Sequence, residues 1–256
     1  MDLGLKDKKV LITGGSKGIG LACARAFVAE GARVALVSRS QENLRNANIK
    51  DAYTLAADLT DAAAAAAMVE RVEKEFGPID VLVNSAGAAK RTDADDLTPA
   101  AWRAGMDAKY FSYINVIDPV IKRMGKRGRG AVINVIGSGG KVASPTHLAG
   151  GAANAALLLA TAGLAYAYAS KGVRVIGVSP GVTKTERVAE GLKAEAKRAN
   201  VSEEQAYKQM ISRLPMGRPA EPEEIADIVV FAASERGRYL TGANLSTDGA
   251  ASHVVV

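Results

Sequence analysis

The chain has 256 residues, with 33 lysines and arginines against 27 aspartates and glutamates, a formal net charge of +6, and 48% of it is hydrophobic. That length fits one large α/β domain, and such an apolar content supports a full core and excludes disorder as the main state. The single cysteine, Cys23, excludes an internal disulfide framework and fits a reducing compartment. Asp2, Lys6, Asp7, Lys8 and Lys9 break any leader-like apolar opening, so a cytoplasmic protein is expected. Aromatic residues make up only 5% and interleave with no basic stripe, which argues against nucleic-acid binding. No His, Cys, Asp and Glu cluster has metal-ligand spacing, so no metal is expected.

Short β-rich runs alternate with longer helical ones along the whole chain, the pattern of a parallel sheet with crossover helices. Strands are predicted at Lys9 to Thr13, Arg33 to Ser38, Tyr53 to Ala57, Val81 to Asn84, Ala131 to Ile136, Val173 to Val178 and Asn244 to Ser246. Helices are predicted near Ile19 to Ala29, Asp61 to Phe76, Ala100 to Arg127, Gly151 to Ser170 and Pro222 to Ala233. Alanine is the best helix former, so the Ala62 to Ala67 run is read as helix, with Asp61 as its cap. From Val142 to Ser170 there is no charged residue, yet Gly150, Gly151, Asn154, Thr161 and Gly163 argue against a membrane span. A helix apolar all round is expected between the core and a second copy of the chain, which predicts a dimer or tetramer. The charged stretch from Thr185 to Arg213 reads as a helical pair inserted where the sheet's ligands bind; it is either a substrate lid or a solvated excursion, and its position favours the lid.

After the first strand comes Thr13-Gly14-Gly15-Ser16-Lys17-Gly18-Ile19-Gly20. Glycines allow a tight turn and close backbone approach, and the helix that follows offers free amide hydrogens to a pyrophosphate. The second strand ends in Ser38-Arg39-Ser40, where an NAD site would place an acid. Arg39, with Lys17 in the turn, can instead bind a 2′-phosphate, so NADP(H) is preferred over NAD(H).

The turn is similar to the TGxxxGxG motif of the short-chain dehydrogenase/reductase family, and other marks of that family follow in order. Asp58-Leu59 resembles the pair that contacts adenine. Asn84-Ser85-Ala86-Gly87 is similar to the family's NNAG, and Pro180-Gly181-Val182-Thr183-Lys184-Thr185 resembles its PG-x-x-x-T turn. Gly217-Arg218 with Pro222 to Ala226, then Thr241-Gly242 and Asp248-Gly249, complete a resemblance that covers essentially the whole chain. It implies a single-domain Rossmann-type fold, a doubly wound parallel sheet of about seven strands with helices on both faces. It also implies that Thr13, Gly14, Ser16, Lys17, Gly18, Ile19, Gly20, Ser38, Arg39, Asp58, Leu59, Asn84, Ala86, Gly87, Pro180, Gly181, Thr183 and Thr185 hold the cofactor.

The resemblance fails at the reacting centre. Members of the family use a tyrosine acid/base, a lysine four residues on, a serine about thirteen before the tyrosine and an asparagine on the preceding helix. The lysine is there because a free phenol titrates near pH ~10 and needs a cation beside it to work near neutrality. Aligned on Gly130 to Val135, the serine position is Gly137, with Ser138 next to it; the tyrosine position is Gly150, the lysine position Asn154 and the asparagine position about Lys109. Candidates for the missing chemistry are therefore His147, Ser138, Lys109 and Asn154. An imidazole near pH ~6.5 donates protons without help from a lysine. Lys109 and Asn154 read as an exchanged pair or as a surface lysine and a buried amide. Lys90, Arg91, Lys141, Lys184 and Arg187 fall near strand carboxyl ends, which suits an anionic substrate or is plain solvation. Two functions follow: an NADP(H)-dependent dehydrogenase or reductase with an unusual site, or a nucleotide-binding member acting as a sensor, regulatory or partner subunit.

Overall fold

Seven parallel strands form one sheet in the order β3-β2-β1-β4-β5-β6-β7. They are β1 (Lys9–Thr13), β2 (Arg33–Ser38), β3 (Tyr53–Ala56), β4 (Val81–Asn84), β5 (Gly130–Val135), β6 (Val173–Pro180) and β7 (Asn244–Thr247). This computed structural model describes residues 1–87 and 89–254. Val255 and Val256, at the end of the chain, lie outside the described residues. The helices, in chain order, are α1 (Gly18–Ala29), α2 (Gln41–Asn46), α3 (Ala62–Glu75), α4 (Pro99–Met106), α5 (Ser112–Arg127), α6 (Leu148–Tyr168), α7 (Glu186–Arg198), α8 (Glu203–Ile211) and α9 (Pro222–Ala233).

Both sheet faces are covered, as a parallel sheet requires. Alternate residues of β1 point to opposite sides: Val10 and Ile12 join Phe27 of α1 and Val229 of α9, while Leu11 joins Val69 of α3 and Val116 of α5. The chain order reverses between β1 and β4, and that switch point places the ends of these strands at the mouth of a ligand crevice. Asp61 caps α3 by accepting from the N–H groups of Ala63 and Ala64 at 2.8 and 3.1 Å, as its sequence position predicts. Cys23, on the buried face of α1, is fully buried, and burial pushes its thiol up to about 12, so it is inert packing.

Two departures from the sequence reading matter for the site. The helix expected over Ala100 to Arg127 is broken by a π-helical turn, Asp107–Phe111, between α4 and α5. Gly87 packs so closely on this turn that a Cβ there would lie 1.9 Å from the Ala108 carbonyl oxygen. The widened turn displaces carbonyls from the α-helical ladder, and the Ser112 hydroxyl serves two of them, Ala108 and Lys109, at 3.0 and 3.1 Å. The second departure is α2, a short helix capped by Ser40, whose hydroxyl accepts from Asn43 N–H at 3.1 Å.

α6 is long and apolar enough to cross a bilayer by length and composition. Ala149, Ala153, Leu157, Thr161 and Ala165, each four residues apart, are buried along one side of it, which makes it a core helix of the domain. At the far end of the sheet, Arg174 of β6 donates to the carbonyls of Ala232, Ala233, Ser234 and Leu240 at 2.7–3.2 Å, closing the end of α9. Replacement by Leu strands those acceptors. We expect Arg174→Leu to lose about 3 kcal/mol of stability, seen in calorimetry as a melting temperature lower by roughly 6–12 °C.

Candidate active site

The nucleotide end of the crevice is built by backbone. Gly14 N–H donates to Val37 O at 2.8 Å, turning the chain out of β1. Gly14 has φ +67°, and a Cβ there would come within 2.7 Å of Ser85 O. A Cβ on Gly20 would meet Gly14 O at 2.3 Å, so α1 can start this close to the turn only with glycine. No side chain caps α1 among the described residues, which leaves its first N–H groups directed at the crevice. Ser16 is buried in the turn and Ile19 packs on the core behind it.

A chain of buried polar side chains runs beneath this turn. Thr13 Oγ1 bonds Asn84 Oδ1 at 3.3 Å; Asn84 Nδ2 donates to Asn134 Oδ1 at 3.0 Å, and Asn134 Nδ2 donates to Thr161 Oγ1 at 3.0 Å. Thr13 Oγ1 also accepts from the N–H groups of Ser85 and Ala86 at 3.3 and 3.4 Å. The chain joins the ends of β1, β4 and β5 to α6. Asn134 and Thr161 are not motif residues, and only the fold brings them into line with Thr13 and Asn84.

Around the turn, Arg39 is exposed at the end of β2, and Ser38 donates to Ser40 O at 3.0 Å. Asp58 accepts from Thr60 N–H and Oγ1 at 3.0 and 2.8 Å, and these bonds hold its carboxyl below the ordinary value, with a smaller pull from Arg39. Leu59 beside it is buried. Thr183 is buried and donates to Gly181 O at 3.3 Å. Thr185 approaches the turn, its Cγ2 lying 3.3 Å from where a Cβ on Gly18 would be. Pro180 ends β6 beside them. Lys17 forms an ion pair with Glu186 of α7 at 3.0 Å, with both side chains more than half exposed. At the other end of α7, Arg198 pairs with Asp93, in the loop after β4, at 3.1 Å. The helical pair α7–α8 is thus tied across the crevice mouth. The side chain of Arg187 lies outside the described residues.

The reacting end is lined by glycine. Gly137 leaves β5 at φ +115°, and Ser138 opens the turn Ser138–Gly140 half-buried. His147 precedes α6, and its imidazole lies directly over Gly150: a Cβ on Gly150 would be 2.1 Å from Cε1, 2.5 Å from Nε2 and 2.8 Å from Nδ1. The ring therefore fills the space that any larger residue at position 150 would need. Asn154, one turn further along α6, is 5% exposed. Its Nδ2 lies 3.3 Å from where a Cβ on Gly137 would be and 3.6 Å from where one on Gly139 would be. The structure thus brings His147, Asn154 and the Ser138 turn together.

Lys109 reaches the same strand end from the π-helical turn. Its ammonium donates to Tyr113 Oη at 2.7 Å and to Val135 O at 2.9 Å, and the fully buried Tyr113 hydroxyl donates to Val135 O at 2.6 Å. This corrects the reading of Lys109 as a surface lysine: it is half-buried, and its ammonium donates to Tyr113 Oη and Val135 O. Lys109 and Tyr113 are four residues apart in sequence, and that Lys-x-x-x-Tyr spacing was the available signal for Tyr113.

A glycine turn at a helix start, an Asn-Ser-Ala-Gly loop at the switch point and polar groups at the strand ends define a nucleotide-binding α/β enzyme fold, and comparison with known proteins narrows it. A family model described as enoyl-(acyl carrier protein) reductase matches residues 14–251. The 3α-hydroxysteroid dehydrogenase of Mediterraneibacter gnavus is 32% identical over 255 residues, covering 96% of this chain and 98% of that protein. The D-threitol dehydrogenase of Mycolicibacterium smegmatis is 35% identical, covering 97% and 94%. Among solved structures, L-sorbose reductase from Gluconobacter frateurii, complexed with NADPH and L-sorbose, superposes with a TM-score of 0.93 at 27% identity over 100% of both chains. The chain belongs to the short-chain dehydrogenase/reductase family, an oxidoreductase family.

The packing of His147 on Gly150 gives a direct test. Gly150→Ala must push the imidazole aside while leaving the nucleotide turn untouched. We expect turnover to fall by roughly 10² with NADPH affinity within about two-fold, checked by steady-state kinetics and fluorescence titration.

Proposed function

We propose that the protein is an NADP(H)-dependent dehydrogenase/reductase acting on a carbonyl/alcohol pair, with the His147 imidazole as its proton donor and acceptor. The observation that carries this reading is the seat of that imidazole over Gly150. A ring held there by a glycine at the start of the next helix occupies the place aligned with the family tyrosine, and an imidazole can both donate and accept a proton.

The glycine cradle from Gly14 to Gly20, closed on the far side by Ser85 and Ala86, fits a pyrophosphate, and the same residues fit a dinucleotide as a whole. Thr13, Gly14, Ser16, Gly18, Ile19 and Gly20 would hold the phosphates; Asp58 and Leu59 the base; Asn84, Ala86, Gly87, Pro180, Gly181, Thr183 and Thr185 the nicotinamide half. When bound, the nicotinamide supplies or accepts hydride at the substrate carbon. In the reductive direction, His147 gives its proton to the oxygen that gains negative charge, and in the oxidative direction it takes the proton back. Lys109, fixed by Tyr113 and Val135 O, adds a positive charge at the end of β5 that favours the developing oxyanion. Ser138 offers a hydroxyl on the adjoining turn.

NADP(H) rather than NAD(H) is supported by Arg39, and by Lys17 once its ammonium exchanges Glu186 for the 2′-phosphate. Two structural neighbours are NADPH complexes, the sorbose reductase and actinorhodin polyketide ketoreductase. The helical pair α7–α8 serves as a lid. Lys90, Arg91 and Lys141 favour an anionic substrate, and the exposed Leu159 and Tyr166 on α6 favour self-association into a dimer or tetramer. A cytoplasmic setting is consistent with the single, buried cysteine.

A second reading, a non-catalytic nucleotide-binding sensor or partner subunit, is favoured by the lack of the family's tyrosine and lysine at Gly150 and Asn154. One experiment separates the two. NADPH oxidation is measured with a carbonyl panel for the wild type and His147→Ala. We expect measurable turnover, a fall of ~10²–10⁴ in kcat for the variant and unchanged NADPH affinity; tight NADPH binding with no consumption supports the second reading. In the same titrations, Arg39→Asp should weaken NADPH by about 10–100-fold and leave NADH nearly unaffected. An NADH preference in the wild type would overturn the cofactor assignment.

A further inference from the structure

A second cleft, of about 630 Å³, lies at the amino ends of the strands. Val81, Gly130 and Val173, the first residues of β4, β5 and β6, line it, so the nucleotide crevice lies at the other end of the same strands. At ~3.3 Å per residue that separation is about 15–25 Å. The volume falls within the range of small-molecule sites, roughly 300–1,000 Å³.

Six charged side chains line the cleft, Lys8, Arg129, Arg174 and Arg238 against Asp80 and Glu235, so four cations face two carboxylates and leave a net charge of +2. The carboxylates hold their cations loosely. Lys8–Glu235 at 3.6 Å and Arg129–Asp80 at 3.7 Å are too long for hydrogen bonds, and Asp80 Oδ2 already accepts from Lys9 N–H at 3.0 Å. Arg174 and Arg238 meet no carboxylate within 4 Å among the described residues. The terminal nitrogens of Arg174 donate only to carbonyls, which satisfies their hydrogen bonds without cancelling the charge. Burial accordingly lowers its pKa from the ordinary guanidinium value, with Glu235 opposing from farther away. A partly buried cation without a close counter-ion is stabilised when an anion arrives.

Tyr239 stands at the rim of the same cleft with its side chain fully exposed, free to stack on a flat group. We propose that this cleft is a second ligand site, distinct from the crevice, and that it takes an aromatic phosphate monoester. Such a dianion matches the net charge of the lining, the forked guanidinium groups of Arg129 and Arg238 suit its oxygens, and its ring reaches Tyr239. A carboxylate would neutralise only half of the excess.

Isothermal titration calorimetry with phenyl phosphate, inorganic phosphate and benzoate, each with and without NADP⁺, tests this. Phenyl phosphate should bind once per chain, about 10-fold more tightly than benzoate, and equally well with NADP⁺ present. Arg129→Glu and Arg238→Glu should each weaken it by about 10–100-fold. Lys208→Glu, the same change of charge on α8, should leave it within about two-fold. Tyr239→Ala should weaken phenyl phosphate by about 5-fold and leave inorganic phosphate unchanged. Competition by NADP⁺ would put the ligand in the crevice and overturn the second site. An equal loss in Lys208→Glu, equal affinity for benzoate, or no binding of either phosphate would overturn it as well. An unchanged phenyl phosphate affinity in Tyr239→Ala would overturn the aromatic part of the assignment. If Arg238→Glu does not fold, Arg129→Glu decides alone.

Discussion

The row of hydrogen bonds from Thr13 through Asn84 and Asn134 to Thr161 is the constraint on which the crevice depends. All four side chains are at most 2% exposed, so each unmade bond would leave a desolvated polar atom costing about 1–3 kcal/mol. The row fixes the relative height of β1, β4 and β5 at their carboxyl ends and ties them to α6. Because Thr13 opens the glycine turn and α6 carries Gly150 and Asn154, one buried network sets the spacing between that turn and the start of α6. The ion pairs of α7 are different in kind: Lys17–Glu186 and Arg198–Asp93 are exposed, and pairs of that type contribute at most ~1 kcal/mol.

Most of the architecture was legible in the sequence. Strand positions follow from apolar runs bounded by glycine and charge, and β1, β2 and β4 coincide with the predicted limits. Asp61 and the alanine run announce α3 by simple capping and propensity. The resemblance supplied the order of motifs, and the structure places the phosphate turn, the Asn84 to Gly87 loop and the Pro180 to Thr185 turn around one crevice.

What was not legible depends on contacts between distant residues. The helical period continues through Asp107–Phe111, so nothing local marks the π-helical turn; it forms where Gly87 presses on Ala108 O and Ser112 can serve the freed carbonyls. That turn makes Lys109 part of the strand end instead of the surface. Likewise, Gly150 and a histidine three residues earlier read as two unrelated residues in the sequence. In three dimensions they are one: the glycine is the seat of the imidazole. Asn154 read either as half of a pair with Lys109 or as a buried amide, and its unpaired oxygen is visible only once its surroundings are known.

The proposed chemistry puts the His147 imidazole in the position of the family's phenol. A crystal structure of the ternary complex with NADP⁺ and a slow alcohol or an inert ketone analogue tests it most directly. With His147 as proton donor and acceptor, the substrate oxygen lies within about 2.6–3.2 Å of a His147 ring nitrogen, with the ring still lying over Gly150. A substrate oxygen bound elsewhere in the crevice, with His147 touching neither substrate nor cofactor, would contradict it.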